Sequence, residues 1–443
     1  MAVNVAKKAG TAKKIKRGQP VGRFANRVRY YDFNLVAVVL LLTCFGLVML
    51  YSTSSYLAQV KRGSDMAYFG KQALISAVSI GFALWISRFD YHVLFHLSPF
   101  IYVVSMILMC LVPTPLGVTV NGAKRWLKFG PSWTQFQPSE IAKIAVITFI
   151  PCLIIKIGRK IKQWQSMVLL LAVGGVLALG AFLLTDNLST GIIIGAITVL
   201  LIFMAHPKMK PFLIGGAIVG GVLVAVIIIL HMTLGSGAGS IEDFRLRRIM
   251  VWLQPEQYSK DGGYQIMQAL YAIGSGGFFG KGLGNSVQKL GPVPEAQNDM
   301  IFSIICEELG VFGGMIVLAL FGYLLYRLFF IAQNAPDLYG SMIVSGIFFH
   351  IALQVILNIC VVINLIPTTG ITLPFVSYGG TSILFLMIEM GIALSVSKQI
   401  NLKPSSSKLN NGTKGSHAPD CGFYSLCACF CCHEAEMLNR NSY

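Results

Sequence analysis

Charge is what this sequence has least of. Asp, Glu, Lys and Arg make up 12% of its 443 residues, about half the ~25% carried by soluble domains. Most of such a chain cannot face water. A length that would hold two or three soluble domains reads instead as one polytopic membrane bundle. Acids are scarcer than bases, 18 against 35, and the first thirty residues hold nine Lys and Arg and no acid. The bases cluster beside apolar runs, which marks cytoplasmic membrane flanks and argues against a nucleic-acid surface. A cleavable leader is also missing. No short apolar core with a small-residue cleavage site follows the basic start, so Leu35–Leu50 reads as an uncleaved first span. Nor is there a spaced disulfide framework. Cys44, Cys110, Cys152, Cys306 and Cys360 are scattered in apolar runs, where cysteine acts as a small hydrophobe. Cys421, Cys427, Cys429, Cys431 and Cys432 crowd the tail without the paired C-x₂-C…C-x₂-C or C-x₂-C…H-x₃-H pattern of a zinc site. A phosphate loop is absent too. "SGGFFGKG" has Ser275 where the motif needs its first glycine and Gly282 where it needs a hydroxyl.

What is present is apolar length. About twenty residues of helix cross the hydrocarbon of a bilayer. Ten runs qualify: 32–52, 70–87, 93–112, 139–157, 166–184, 190–206, 211–232, 300–331, 341–365 and 379–398. The expected fold is therefore all-α, a ten-helix polytopic membrane protein. Its longest connection, 233–299, falls between spans seven and eight. With residues 1–31 placed in the cytoplasm, the inside loops collect Arg88, Arg159, Lys160, Lys162, Lys208 and Lys210, while the outside loops 185–189 and 366–378 hold no base. The positive-inside rule then puts both termini in the cytoplasm. Residues 401–420, rich in Ser, Asn, Gly and Lys, read as a disordered start to the tail.

Two outside segments carry bases against this trend. The first runs from Asn121 to Ile147. Its Trp126, Phe129, Trp133 and Phe136 suit an interfacial or re-entrant stretch. Pro138-Ser139-Glu140 reads as a helix start with Ser139 as cap. Glu140 and Lys143, three apart, share a face; they are either a cap and a snorkelling lysine or an ionisable pair on a substrate path. The second, Phe244–Asp299, offers Arg245, Arg247, Arg248, Lys281 and Lys289 to an anionic group, or as solvated charges balancing its acids. A third segment, Leu365–Leu384, puts prolines, glycines and hydroxyls at membrane depth, where irregular backbone lines a cavity.

Read together, "NGAKRW", "QPSEIAK", "GYQIMQAL", "GLGNSVQKL", "VPEAQND", "EELG" and "LPFVSYGG", in that order across roughly residues 30–400, resemble the SEDS family (shape, elongation, division and sporulation). The likeness is greatest to its FtsW and SpoVE branches and weaker to RodA. The resemblance implies a peptidoglycan glycosyltransferase of the cell membrane that polymerises lipid II and releases polyprenyl diphosphate. It implies a class B penicillin-binding protein transpeptidase as partner, among other division or sporulation membrane proteins. The aspartate closing the large loop, Asp299 here, is the implied base or the ligand of a divalent cation, Mg or Mn. Carried over by motif, Arg125, Glu140, Lys143, Arg245, Arg248, Gln268, Lys289, Glu295 and Ser377 are the implied substrate-binding residues. The sequence departs from the family at Gln297-Asn298, where relatives often carry His-Thr. Two other readings are a lipid II flippase, which broken helices and intramembrane charge also suit, and a scaffold that only recruits its transpeptidase.

Overall fold

The computed structural model describes residues 31–62, 66–120, 123–128, 135–234, 244–258, 263–294 and 296–400. The basic N-terminal segment and the cysteine-rich tail lie outside the described residues. Each of the ten apolar runs is helical. In chain order they form α1 (Phe33–Arg62), α2 (Ala67–Ile86), α3 (Val93–Leu111), α4 (Pro138–Ile157), α5 (Trp164–Leu183), α6 (Leu188–Ala205) and α7 (Lys210–Leu234), then α10 (Ile301–Asn334), α11 (Leu338–Val362) and α12 (Ser382–Ser397). Eight of these are long and apolar enough to cross a membrane; α12 and the stretch Lys210–Val226 of α7 are shorter apolar helices. Two further helices, α8 (Phe244–Leu253) and α9 (Gly263–Gly276), lie in the long connection. They are amphipathic, with polar residues the ten-run pattern passes over.

The core runs through α4 and α11, which are buried on nearly all sides, as expected of helices that are apolar all round. α2 and α3 show large apolar side chains such as Leu74, Val78, Phe100 and Val103 at the surface. Such side chains suit lipid.

At one end of the bundle the start of α1 meets the end of α12. Asp32 caps α1 by accepting from the Leu35 N–H at 3.0 Å, and its other oxygen takes Arg327 Nη2 at 2.7 Å and Nε at 3.1 Å. Its own N–H donates to Ser397 Oγ at 3.4 Å. Nearby, Tyr91 donates to Asp337, and Ser395 Oγ donates to the Phe89 carbonyl at 2.6 Å.

The opposite end is irregular and is where the sequence placed its unusual segments. The stretch expected to be interfacial begins instead as a small antiparallel sheet, β1 (Gly117–Val120), β2 (Ala123–Lys128) and β3 (Gln135–Phe136), in that order. Val118 faces Trp126, and Leu127 faces both Gly117 and Phe136. The register slips beyond Val118, with Thr119 facing Lys124, so Arg125 is the extra residue of β2 at a bulge; Leu127 beyond it is fully buried. α4 then starts on Pro138 with Gln137 as its N-cap. Ser139, expected to cap, is buried inside the first turn and accepts from Gln137 Nε2 at 2.9 Å. Proline at the first helical position needs no donor, which moves the start one residue earlier.

Residues 363–381, between α11 and α12, are extended and turned. They press so closely on α1 that a Cβ on Gly46 would lie 2.6 Å from the Phe375 carbonyl oxygen. Phe375 itself is buried with φ of 62°, a strained conformation for a bulky residue.

α10 is broken at Gly310, whose φ of 73° and ψ of −177° are not helical. The broken ladder is repaired by the loop that follows α9. Lys281 N and Gly282 N donate to the Glu307 and Glu308 carbonyls at 3.0 and 2.9 Å; Val311 N and Phe312 N donate to the Gly277 and Phe278 carbonyls at 3.0 and 3.1 Å. The loop thus stands in for one missing turn of helix, and every group orphaned by the break that these four bonds reach is satisfied.

Candidate active site

Asp299 lies one residue before the N-cap of α10. That cap is Met300, with no side-chain cap bond. The segment is fixed through its backbone. The Asp299 carbonyl accepts from Asn358 Nδ2 at 2.8 Å, and the Gln297 carbonyl accepts from Tyr378 N at 2.9 Å. Both donors tie it to α11 and the 363–381 loop. A Cβ on Gly370 would stand 4.0 Å from Asp299 Oδ2, so the bare backbone of that glycine borders the half-buried carboxylate.

Two arginines converge on the same place. Arg248, on α8, donates to the Thr368 carbonyl at 3.3 Å; one turn on, Trp252 Nε1 donates to the Asn364 carbonyl at 3.1 Å. α8 is thereby held along the loop. Arg125, on β2, donates from Nη2 to the Asp186 carbonyl at 3.0 Å. Burial lowers both guanidinium pKa values from their ordinary range. For Arg125 the cation of Arg248 lowers it further and Asp186 opposes; for Arg248 the Asp299 carboxylate opposes. Each group feels the next, so Arg125, Arg248 and Asp299 form one electrostatic chain. Partly buried arginines remain charged, because a guanidinium ordinarily loses its proton only far above neutral pH. Two fixed cations beside one carboxylate suit a doubly anionic group next to a hydroxyl that must lose a proton.

Glu140 and Lys143 form the ion pair expected of their spacing, Nζ to Oε2 at 2.9 Å, and both are buried. Ser382 Oγ donates to the same Glu140 oxygen at 3.2 Å, and Thr381 Oγ1 to the Gln135 carbonyl at 3.3 Å. The pair braces α4 against the start of α12, at the end of the loop that borders Asp299. Ser377 is buried and closes its own turn, its Oγ accepting from Leu373 N at 2.8 Å.

Other sequence-expected residues do not gather here. Lys289 is the main correction. Its ammonium is buried against Glu308 at 2.7 Å and Ser52 at 2.9 Å, and Glu308 is fully buried. A cation so committed braces the broken α10 against α1 and cannot serve as an open phosphate contact. Lys281 is bound in the same way to Glu307, at 2.7 Å. Gln268 is half-buried on α9, and no hydrogen bond among the described residues brings it to Asp299. Glu295 lies outside the described residues, as does the side chain of Arg245 in the first turn of α8. Asn358 was not legible as a site residue: a lone asparagine in an apolar run gives no local signal.

Among the described residues no three His, Cys, Asp or Glu side chains gather as a metal site. Among the described residues Asp299 is the side chain that would hold a divalent cation, whose charge would help neutralise a diphosphate.

The chain matches the family model described as cell cycle protein, FtsW/RodA/SpoVE, over residues 32–402. It is 37% identical over 385 residues to the probable peptidoglycan glycosyltransferase FtsW of Trichlorobacter lovleyi, covering 86% of this chain and 97% of that protein. It is 37% identical over 375 residues to stage V sporulation protein E of Bacillus subtilis, covering 83% and 97%. Among solved structures, one of a peptidoglycan synthase complex, described as coordinating polymerization and crosslinking, aligns with a TM-score of 0.65 at 26% identity over 83% of this chain and 97% of that one. The rod shape determining protein RodA of Thermus thermophilus aligns with a TM-score of 0.59 at 25% identity, over 84% and 98%.

Proposed function

The chain belongs to the FtsW/RodA/SpoVE family of cell cycle proteins, and from that premise we propose that it is a peptidoglycan glycosyltransferase that polymerises lipid II in cell division or sporulation. The observation that carries this reading is the chain Arg125, Arg248, Asp299 at the irregular end of a membrane bundle.

In the proposed step the 4-hydroxyl of an incoming GlcNAc attacks the anomeric carbon of the MurNAc at the end of the growing strand. Asp299 takes the hydroxyl proton. The new C–O bond forms as the bond to the polyprenyl diphosphate breaks, with inversion at the anomeric carbon. Arg125 and Arg248 meet the negative charge that develops on the departing diphosphate. Arg245, one turn before Arg248 on α8, joins them in the proposal; Glu140 and Lys143 hold the far end of the loop. A divalent cation, Mg or Mn, when bound, would add charge neutralisation at the same diphosphate. Both parts of the substrate dictate the location: its sugar needs water and its tail needs lipid.

We place all ten apolar helices across the membrane, both termini in the cytoplasm and the 233–299 connection outside. The base distribution supports this orientation. A crosslinking partner is part of the proposal, as a class B penicillin-binding protein transpeptidase. A flippase would need a passage opening to each face in turn. The end of the bundle where α1 begins and α12 ends carries the Asp32–Arg327 and Tyr91–Asp337 contacts, while the irregular polar segments gather at the other end, which favours the enzyme.

The test is polymerisation of purified lipid II by the purified protein with its transpeptidase partner, read as gel-resolved glycan. Asp299→Ala and Asp299→Asn should lower the rate by about 10²–10⁴-fold, roughly 3–5 kcal/mol of barrier, with membrane insertion and partner binding intact. An Asp299→Asn protein working within about threefold of wild type ends the assignment.

A further inference from the structure

α11 carries His350, Gln354 and Asn358 at intervals of four residues, so all three lie on one face of the helix. All are buried. His350 Nδ1 meets Glu389 Oε2 of α12 at 2.8 Å. Gln354 Nε2 donates to the Thr372 carbonyl at 3.0 Å. Asn358 Nδ2 donates twice, to the Asp299 carbonyl at 2.8 Å and to the Ile371 carbonyl at 2.7 Å. The two amides therefore grip consecutive residues of the loop, and the histidine grips the helix into which the loop runs.

Asn358 differs from its neighbours in one respect. Both of its N–H bonds are used, and they join two segments distant in sequence: the one carrying the carboxylate and the one carrying Gly370 beside it. Its side chain is fully buried, and its oxygen has no partner among the described residues. Turning the amide over would aim that oxygen at two carbonyl oxygens less than 3 Å away, which is repulsive. The orientation is therefore forced by the two carbonyls it holds.

We propose that Asn358 is the positioning residue of Asp299: its carboxamide locks the Asp299 peptide to the Ile371 peptide, so that the carboxylate and the loop facing it hold one fixed geometry. This rests on Asp299 being the base. Removing the amide takes its donor from both carbonyls and lets the 296–300 segment shift against the loop. A shift of about 1 Å in a reacting group costs on the order of 10²-fold in rate.

The experiment compares Asn358→Leu with Gln354→Leu in the polymerisation assay, using the full chain with its partner and recording kcat, KM and thermal melting. Each variant deletes a buried carboxamide from the same helix face, one turn apart, but only Asn358 touches Asp299. Asn358→Leu should lose about 10²-fold in kcat with KM within about threefold, whereas Gln354→Leu should keep kcat within about fivefold. Asn358→Ser, which retains one hydroxyl donor, should fall between Asn358→Leu and wild type. Equal losses in the two leucine variants, or an unimpaired kcat in Asn358→Leu, overturn the proposal. So does failure of both Asn358 variants to fold while Gln354→Leu folds, since Asn358 would then be structural. Asp299→Asn run alongside separates the two ideas. A near-wild-type rate there removes the base itself, whereas an inactive Asp299→Asn beside a fully active Asn358→Leu removes only the positioning role.

Discussion

Replacing Gly310 with alanine adds a single methyl group at the break in α10, and the surroundings set its cost. The Cβ would fall 2.2 Å from the Phe278 carbonyl oxygen and 2.4 Å from Gly280 N, both main-chain atoms that cannot rotate away. The backbone at φ 73°, ψ −177° belongs to a region that is essentially glycine-only and costs about 1–3 kcal/mol for other residues. Overpacking adds about 1–3 kcal/mol. Relief requires the 277–282 loop to withdraw, and withdrawal gives up the four backbone bonds that bridge the break, each worth about 1 kcal/mol net. The cheaper of these routes still costs about 2–6 kcal/mol. The assay is thermal unfolding of the purified protein in detergent, where for a chain of this length a loss of this size lowers Tm by roughly 2–6 °C. Gly322→Ala is the matched control. It lies in the same helix, its added Cβ meets nothing within 4 Å, and alanine should stabilise it by up to about 1 kcal/mol. A Gly310→Ala protein that melts with wild type refutes the account of the break.

The buried Lys289–Glu308 pair makes a second test. Glu308→Leu strands an ammonium and should destabilise by about 3–5 kcal/mol, while Lys289→Met combined with Glu308→Leu should recover most of that in the same melt; a double variant less stable than the single one contradicts this. Arg248→Gln should slow lipid II polymerisation by about 10–10²-fold, with Arg248→Lys intermediate because it keeps the charge and loses the planar fork; a wild-type rate for Arg248→Gln removes it from the site. For topology, single cysteines at Leu290 and Met209, both exposed and at opposite ends of the bundle, should differ in intact cells lacking the other cysteines. An impermeant thiol reagent should label Leu290→Cys and spare Met209→Cys, and the reverse pattern would invert the orientation.

Long-range pairing separates what the sequence disclosed from what it hid. Helix positions were legible because lipid demands long unbroken apolar runs: the run 139–157 became Pro138–Ile157, and 93–112 became Val93–Leu111. Asp299 was legible because a carboxylate at the mouth of such a run is costly without a role. The 365–384 segment was legible as irregular because prolines and glycines at membrane depth need protein around them. The β1–β2 hairpin was not, since four to six residues of mixed aromatic and basic character fit an interfacial stretch equally well. Lys289 was misplaced for a related reason. A lysine in a long polar loop looks solvated, and its acid lies nineteen residues on, inside what reads as a span. Asn358 was invisible because its two partners are main-chain carbonyls 59 and 13 residues away, and no spacing rule reaches them.

The Asp32 clamp bears on how the chain is made. Asp32 stands at the start of α1; its carboxylate is buried against Arg327, and its backbone N–H donates to Ser397 Oγ. Those two residues are synthesised nearly three hundred and more than three hundred and sixty positions later. Until then Asp32 lacks the guanidinium that α10 supplies, so α1 cannot take its final seat in order of synthesis. A chain halted anywhere before α10 lacks the contact that seats α1. The last helices close the bundle by fastening the first.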